Sequence, residues 1–163
     1  MALSSCLGKK EGVAKIFTEK FPNVICWHCI AHRLELGVHD TVEKVAGSNN
    51  FKIFMDKLYA LYRMSPKNNV ELRMCASDVE IELLTIGKML DTRWVASSLR
   101  NVRAVWVLFP ALYKHFQEAS MDSRRDALEK RKYSGLAVRI SMIQFVQNLG
   151  IMMDALTEIS SSL

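Results

Sequence analysis

Apolar residues return along this chain at intervals of three and four rather than two, and a chain so patterned must gather them on one side of helices. Phe51, Phe54, Met55, Leu58, Leu61 and Tyr62 make one such stripe. Ile30, Leu34, Val38, Val42 and Val45 make another, with Arg33, Asp40, Glu43 and Lys44 lying away from it, and that helix ends near Gly47. A shorter stripe, Val13, Ile16, Phe17 and Phe21, stops at Phe21-Pro22-Asn23 because proline disfavours helical geometry in the residue before it. Seven Gly and three Pro in 163 residues are too few for an all-β chain, which needs frequent turns. The expected fold class is therefore mainly α.

One segment departs from this pattern. Val24-Ile25-Cys26-Trp27-His28-Cys29 is short, β-branched and aromatic, and bounded by the preceding turn signal, so it reads as a buried strand. Farther on, Ser48-Asn49-Asn50 offers capping oxygens to the Phe51 helix, and Ser65-Pro66 closes that helix. Over 67–84, Val70, Met74 and Ala76 suit a helix while Val79, Ile81 and Leu83 alternate as in a strand; helix is the reading adopted. After a connection over 85–92, a long helix starts at Trp94, with Val102, Val105, Trp106, Phe109, Leu112, Tyr113 and Phe116 facing inward and a kink at Pro110. Residues 120–134 are polar and read as a loop with a helical turn. Gly135 to Ile159 reads as one helix with two apolar stripes, which calls for burial on two sides and hence for further sequence or a second chain.

Half of the residues are hydrophobic and 24% are charged, enough to bury a core and to exclude the disordered class. The net charge of +5 inclines the chain toward anionic partners. No apolar run at the start resembles a signal peptide. The longest apolar run, Ala104 to Tyr113, is about half the ~20 residues a membrane-spanning helix needs and is broken by Pro110, so no membrane partner is expected. Cys6, Cys26, Cys29 and Cys75 are then expected as reduced thiols of a nuclear or cytoplasmic protein.

Four runs of residues carry a family likeness. Leu7-Gly8-Lys9-Lys10-x-Gly12-Val13-Ala14 precedes Lys20-Phe21-Pro22-Asn23, and Cys29-Ile30-Ala31-His32-Arg33-Leu34-Glu35-Leu36 follows. Asp91-Thr92-Arg93-Trp94 stands downstream. In this order they resemble the core of hAT-family transposases, including members domesticated by their hosts and related to SUMO ligases. The resemblance implies a truncated ribonuclease-H-like α/β remnant over 1–47 and part of an all-α insertion domain over 48–163. It also implies nucleic-acid contacts at Cys29, His32, Arg93 and Trp94, and a nuclear location. DNA, SUMO or its conjugating enzyme, and a second copy of the chain are the partners it suggests.

Transposases of this family cleave DNA with three acidic residues that hold two metal ions. The second acid belongs in a Ser-Asp-Gly-Ala-like motif just before the Leu-Gly-Lys-Lys run, where this sequence has Met1-Ala2-Leu3-Ser4. The other two positions fall outside the sequence. No catalytic residue, metal ligand or cofactor is therefore expected, and the chain reads as a non-catalytic binding module. The competing reading is a piece of an active transposase whose acids lie elsewhere.

Each motif also has a plainer reading. Cys29 and His32 share a helix face near its N-terminus, where a phosphate could sit; in a chain lacking the acids, a packed thiol and a hydrogen-bonded imidazole are the preferred reading. Cys26, His28, Cys29 and His32 are zinc-ligand types, but strand geometry turns Cys29 away from Cys26 and His28. Arg93 and Trp94 could hold a phosphate and stack a base, or Trp94 could anchor its helix in the core. Arg124-Arg125 with Lys130-Arg131-Lys132 could touch nucleic acid or serve as a nuclear address, and diluted by Asp122, Asp126 and Glu129 it reads as a solvated loop. Asp78 followed by Val79-Glu80-Ile81-Glu82-Leu83-Leu84 has the composition of a SUMO-interacting strand, and also that of one more amphipathic element.

Overall fold

The computed structural model describes residues 13–23, 48–88 and 94–161. The chain divides into two compact units, residues 1–39 and 40–163. In the first, helix α1 spans Val13–Lys20. Its Lys15–Glu19 pair, at 3.6 Å, adds a small i,i+4 attraction. Pro22-Asn23 forms the turn that the sequence signals. The expected strand Val24–Cys29 and the helix after it lie outside the described residues.

The second unit is helical throughout its described elements: α2 Ser48–Arg63, α3 Pro66–Asp78, α4 Trp94–Met121, α5 Ala127–Ser141 and α6 Ile143–Ser161. Helix α4 is the axis of the bundle and packs against α3, α5 and α6, while α2 packs on α3 and α6. Val102, Val105, Leu108, Leu112 and Phe116 of α4 are fully buried. Phe145 of α6 meets Phe54 edge-on at 4.9 Å and Phe51 at 5.6 Å, which seats α6 on α2.

Two residues expected to face inward on α4 do not: Trp106 is 47% exposed and Tyr113 36%. Val102, Val105, Leu112 and Phe116 are buried as expected, and they are joined by Leu108, Ala119 and the polar Ser98, Asn101 and His115. A reading by hydrophobicity skips those polar positions and rotates the inward face toward the large aromatic residues beside them. Asn101 shows what one of them does, accepting the Gly87 N–H at 2.8 Å and so fastening the 81–88 segment to α4. A Cβ on Gly87 would stand 2.9 Å from Asn101 Oδ1, so this approach requires glycine.

Helix α3 starts where α2 stops. Ser65 is extended and accepts the Asn68 N–H at 3.3 Å, and Pro66 fills the first turn, where its missing N–H costs nothing. The helix adopted for 67–84 ends earlier, at Asp78. Glu80 takes φ 55°, Ile81 N–H bonds Ala76 C=O at 2.9 Å, and Glu80 N–H bonds Ser77 C=O at 3.1 Å, the paired closure of a left-handed helix cap.

Two further expectations are corrected. The loop read over 120–134 is a turn only from Asp122 to Asp126; α5 begins at Ala127, capped by Asp126, whose side chain accepts the Glu129 N–H at 2.7 Å. Asp-x-x-Glu is the sequence signal for this start, obscured by the basic run that follows. The single helix read from Gly135 to Ile159 is two, bent by 60° at Met142, whose backbone is extended. Ser141 Oγ bonds Ala137 C=O at 2.8 Å, a back-bond that competes with the helical ladder. The bend lets α5 bury Tyr133 and Ile140 while α6 buries Phe145, Leu149 and Leu156; Val138, Ile143 and Ile151 stay exposed rather than forming a second buried stripe. Among the described residues, no single helix is long and apolar enough to cross a membrane.

Leu112→Ala should lower unfolding stability by about 2–5 kcal/mol in a urea titration, because α4 cannot close the cavity. Glu80→Gly should raise it by about 1 kcal/mol through relief of the left-handed backbone.

Candidate binding cleft and the buried ion pair beside it

Arg125 sits in the turn between α4 and α5, yet its side chain is only 2% exposed. The solvated-loop reading of this basic run therefore fails for Arg125, although Arg124, at 82% exposure, fits it. A buried guanidinium needs a countercharge inside the fold. Glu71 on α3 supplies it: Arg125 Nη2 donates to Glu71 Oε2. The guanidinium also stacks over the Tyr133 ring, 4.6 Å from its centroid. Its Nε lacks a hydrogen-bond partner, with Asp122 Oδ2 3.7 Å away.

The same Glu71 oxygen lies 3.0 Å from His115 Nε2, and His115 Nδ1 lies 2.8 Å from Tyr62 Oη. A carboxylate only accepts, so Nε2 carries the proton and donates to Glu71; Nδ1 then accepts from the Tyr62 hydroxyl. Burial pushes the Tyr62 phenol far above its ordinary range, which keeps that proton in place. Burial also holds His115 below the usual imidazole range against the opposing pull of Glu71, and the Arg125 charge acts in the same direction as burial. One chain of groups thus joins α2, α3, α4 and the α4–α5 turn, with the Arg125 Nε–H left as its one unpaired donor.

Asparagines complete the join. Asn68 Nδ2 donates to Leu61 C=O at 3.1 Å and Asn68 Oδ1 accepts from Tyr133 Oη at 2.8 Å, while Asn69 Nδ2 donates to Tyr62 C=O. Leu61 and Tyr62 carry carbonyls of the last turn of α2, which have no partner within that helix. Beside this network, Cys75 donates to Glu118 Oε2 at 3.5 Å. Burial and the Glu118 charge push its thiol up to about 12, so it stays protonated and unreactive at neutral pH.

Above Asn68, Arg125 and Tyr133 opens a cleft of about 980 Å³ between α2 and α5. These two helices are not among the closely packed pairs, so the cleft follows the gap between them. Lys57, Lys67, Arg125, Lys132 and Arg139 line it, against the single carboxylate of Glu129. Arg125 and Lys67 are engaged by Glu71, and Glu129 stands 3.8 Å from Arg125 Nη1. Lys57, Lys132 and Arg139 have no carboxylate within ion-pair distance among the described residues.

Of the residues singled out by resemblance, Cys29, His32 and Arg93 lie outside the described residues, and Trp94 is the first residue of α4. Periodicity places Tyr62 on the inward stripe of α2 but not its partner, and Glu71, His115 and Arg125 escape it, because the groups that meet are 44 to 54 positions apart. The available signal was His115 on the inward stripe of α4. Among the described residues, no group of three or more His, Cys, Asp or Glu could hold a metal ion. No family model matches this sequence, and no solved structure matches it.

Glu71→Ala should cost about 2–4 kcal/mol by leaving Arg125 buried and unpaired, whereas Glu71→Leu combined with Arg125→Met should recover the part due to the unpaired guanidinium in a double-mutant cycle, the His115 Nε2–H still lacking its acceptor. Because the folded His115 binds its proton less readily than the unfolded one, its contribution is present above pH ~6.5 and lost as pH falls through the lower folded value. Urea midpoints of the wild type should therefore fall between about pH 7 and pH 5 more steeply than those of His115→Gln.

Proposed function

We propose that this chain is a non-catalytic binding module of hAT-transposase ancestry, which holds an anionic macromolecule and breaks no bond in it. The carrying observation is the α2–α5 cleft, with unpaired cations on both walls and one carboxylate between them. The ionisable groups beside it are committed to one another: Glu71 serves Arg125 and His115, and the Cys75 thiol is held protonated. That arrangement suits holding rather than reacting.

Within the family, Leu7 to Ile25, Met64-Ser65-Pro66-Lys67-Asn68 and Asp154-Ala155-Leu156 resemble the vertebrate hAT-derived SUMO-protein ligase. On that reading the chain is part of a nuclear protein whose partners are DNA, SUMO or its conjugating enzyme, or another copy of itself. Residues 1–47 would be the ribonuclease-H-like remnant and 48–163 the helical insertion. Support for the SUMO partner comes from 81–88, which lies outside the helices with Glu82 and Leu83 exposed. Support for DNA comes from the position of Trp94 at the head of α4, where a base-stacking side chain would be carried on a rigid element.

A gel shift with labelled DNA at two salt concentrations tests the nucleic-acid part. The wild type should shift DNA at low salt, lose it steeply as salt rises, and bind about tenfold more tightly than Trp94→Ala. Absence of a shift at low salt would leave protein as the only partner class. Magnesium-dependent nicking by the purified chain would contradict the non-catalytic reading.

A further inference from the structure

The walls of the cleft are two helix faces. On α2, Asn50, Ile53, Lys57 and Ala60, with Met64 just past its end, line it at intervals of three and four, and on α5 Glu129, Lys132, Leu136 and Arg139 do the same. Rows of this kind follow the helix axes, for about 15–20 Å here, which is the length of a third helix of roughly three to four turns. Both rows mix apolar and cationic groups: Ile53, Ala60 and Met64 with Lys57 on one, and Leu136 with Lys132 and Arg139 on the other. Ile53 is 45% exposed and Met64 80%, while Lys57, Lys132 and Arg139 carry charges that no carboxylate of the described residues answers.

A second observation concerns Gly135, exposed midway along α5 on the wall of the cleft. A Cβ there would meet no atom within 4 Å. Glycine weakens a helix interior, and no close packing among the described residues calls for it here. Ala60 on α2 is likewise small and exposed toward the cleft. Small residues at such a place let a neighbouring backbone come close.

We propose that the cleft is the seat of an acidic amphipathic helix from a partner protein. Its apolar stripe would lie on Ile53, Met64 and Leu136, its backbone would pass closest at Gly135 and Ala60, and its carboxylates would meet Lys57, Lys132 and Arg139. The inference rests on the binding-module reading above and names the chemistry of the partner. Nucleic acid fits this cleft less well. Single strands gain affinity by stacking bases on exposed rings, and the two aromatic residues of the cleft, Phe54 and Tyr133, are 3% and 2% exposed.

Two fluorescent peptides of about four helical turns, sharing one leucine stripe but flanked by glutamates in one and lysines in the other, provide the test by anisotropy. The full chain should bind the glutamate peptide and not the lysine peptide. The triple variant Lys57→Glu/Lys132→Glu/Arg139→Glu, and separately Gly135→Leu, should each weaken binding at least about tenfold, with thermal melts confirming that both variants fold. No binding of the glutamate peptide, equal binding of both peptides, or affinity unchanged in both variants would overturn the proposal. A labelled single-stranded oligonucleotide separates the two levels. Oligonucleotide binding that survives while the glutamate peptide fails to bind overturns the helix seat and leaves the binding module standing; failure of both ligands overturns both.

Discussion

A guanidinium removed from water at the α4–α5 turn cannot stay there without a carboxylate, and Glu71 is the one that meets it. That requirement fixes how far α3 stands from the turn and in what rotation. Tyr62, through His115, adds α2 to the same point, and Asn68 adds the ring of Tyr133 on α5. A buried ion pair of this sort is a weak source of net stability, because desolvation consumes much of the attraction. Its effect here is on geometry. Apolar packing along Val105, Leu108, Leu112 and Phe116 favours a compact bundle, and the polar chain selects which bundle.

The selected geometry separates α2 from α5. Both are tied to the same polar cluster, α2 by its last turn and α5 by Tyr133 near its middle, yet neither packs closely on the other, and a long cleft is left between two helical rows. The cations nearest the network are neutralised by Glu71, whereas those farther out along the walls are not. Charge is thus concentrated on the part of the cleft that a partner would reach. The contrast between the cations paired with Glu71 and those without a carboxylate partner among the described residues is what the proposed binding role draws on.

How much of this was legible in the sequence depends on the distance between the residues concerned. Local signals read correctly: Pro22-Asn23 as a turn, Ser65-Pro66 as a helix boundary, and the start of the long helix at Trp94. The start of α5 was signalled by Asp126 and Glu129 but lost behind Lys130-Arg131-Lys132, since that helix buries only Tyr133 and Ile140 and shows little apolar period. The bend at Met142 was hidden because apolar residues continue on both sides of it. The inward face of α4 was read in part: Val102, Val105, Leu112 and Phe116 lie on it, but Trp106 and Tyr113 do not, and the polar Ser98, Asn101 and His115 that belong to it carry no apolar signal. Arg125 illustrates the general limit: nothing in its neighbourhood distinguishes it from the exposed Arg124, and only a glutamate 54 residues earlier makes it a core residue.

The account stands or falls on whether the Glu71–Arg125 pair holds the two walls apart at a fixed spacing. Pulsed electron–electron resonance between nitroxides placed at Lys57 and Lys132, attached through chemistry that leaves the native cysteines untouched, measures that spacing directly. A single narrow distance distribution in the wild type that becomes broad in Arg125→Met is the predicted result. The same narrow distribution in both proteins would show that the walls are positioned without the ion pair and would contradict the account.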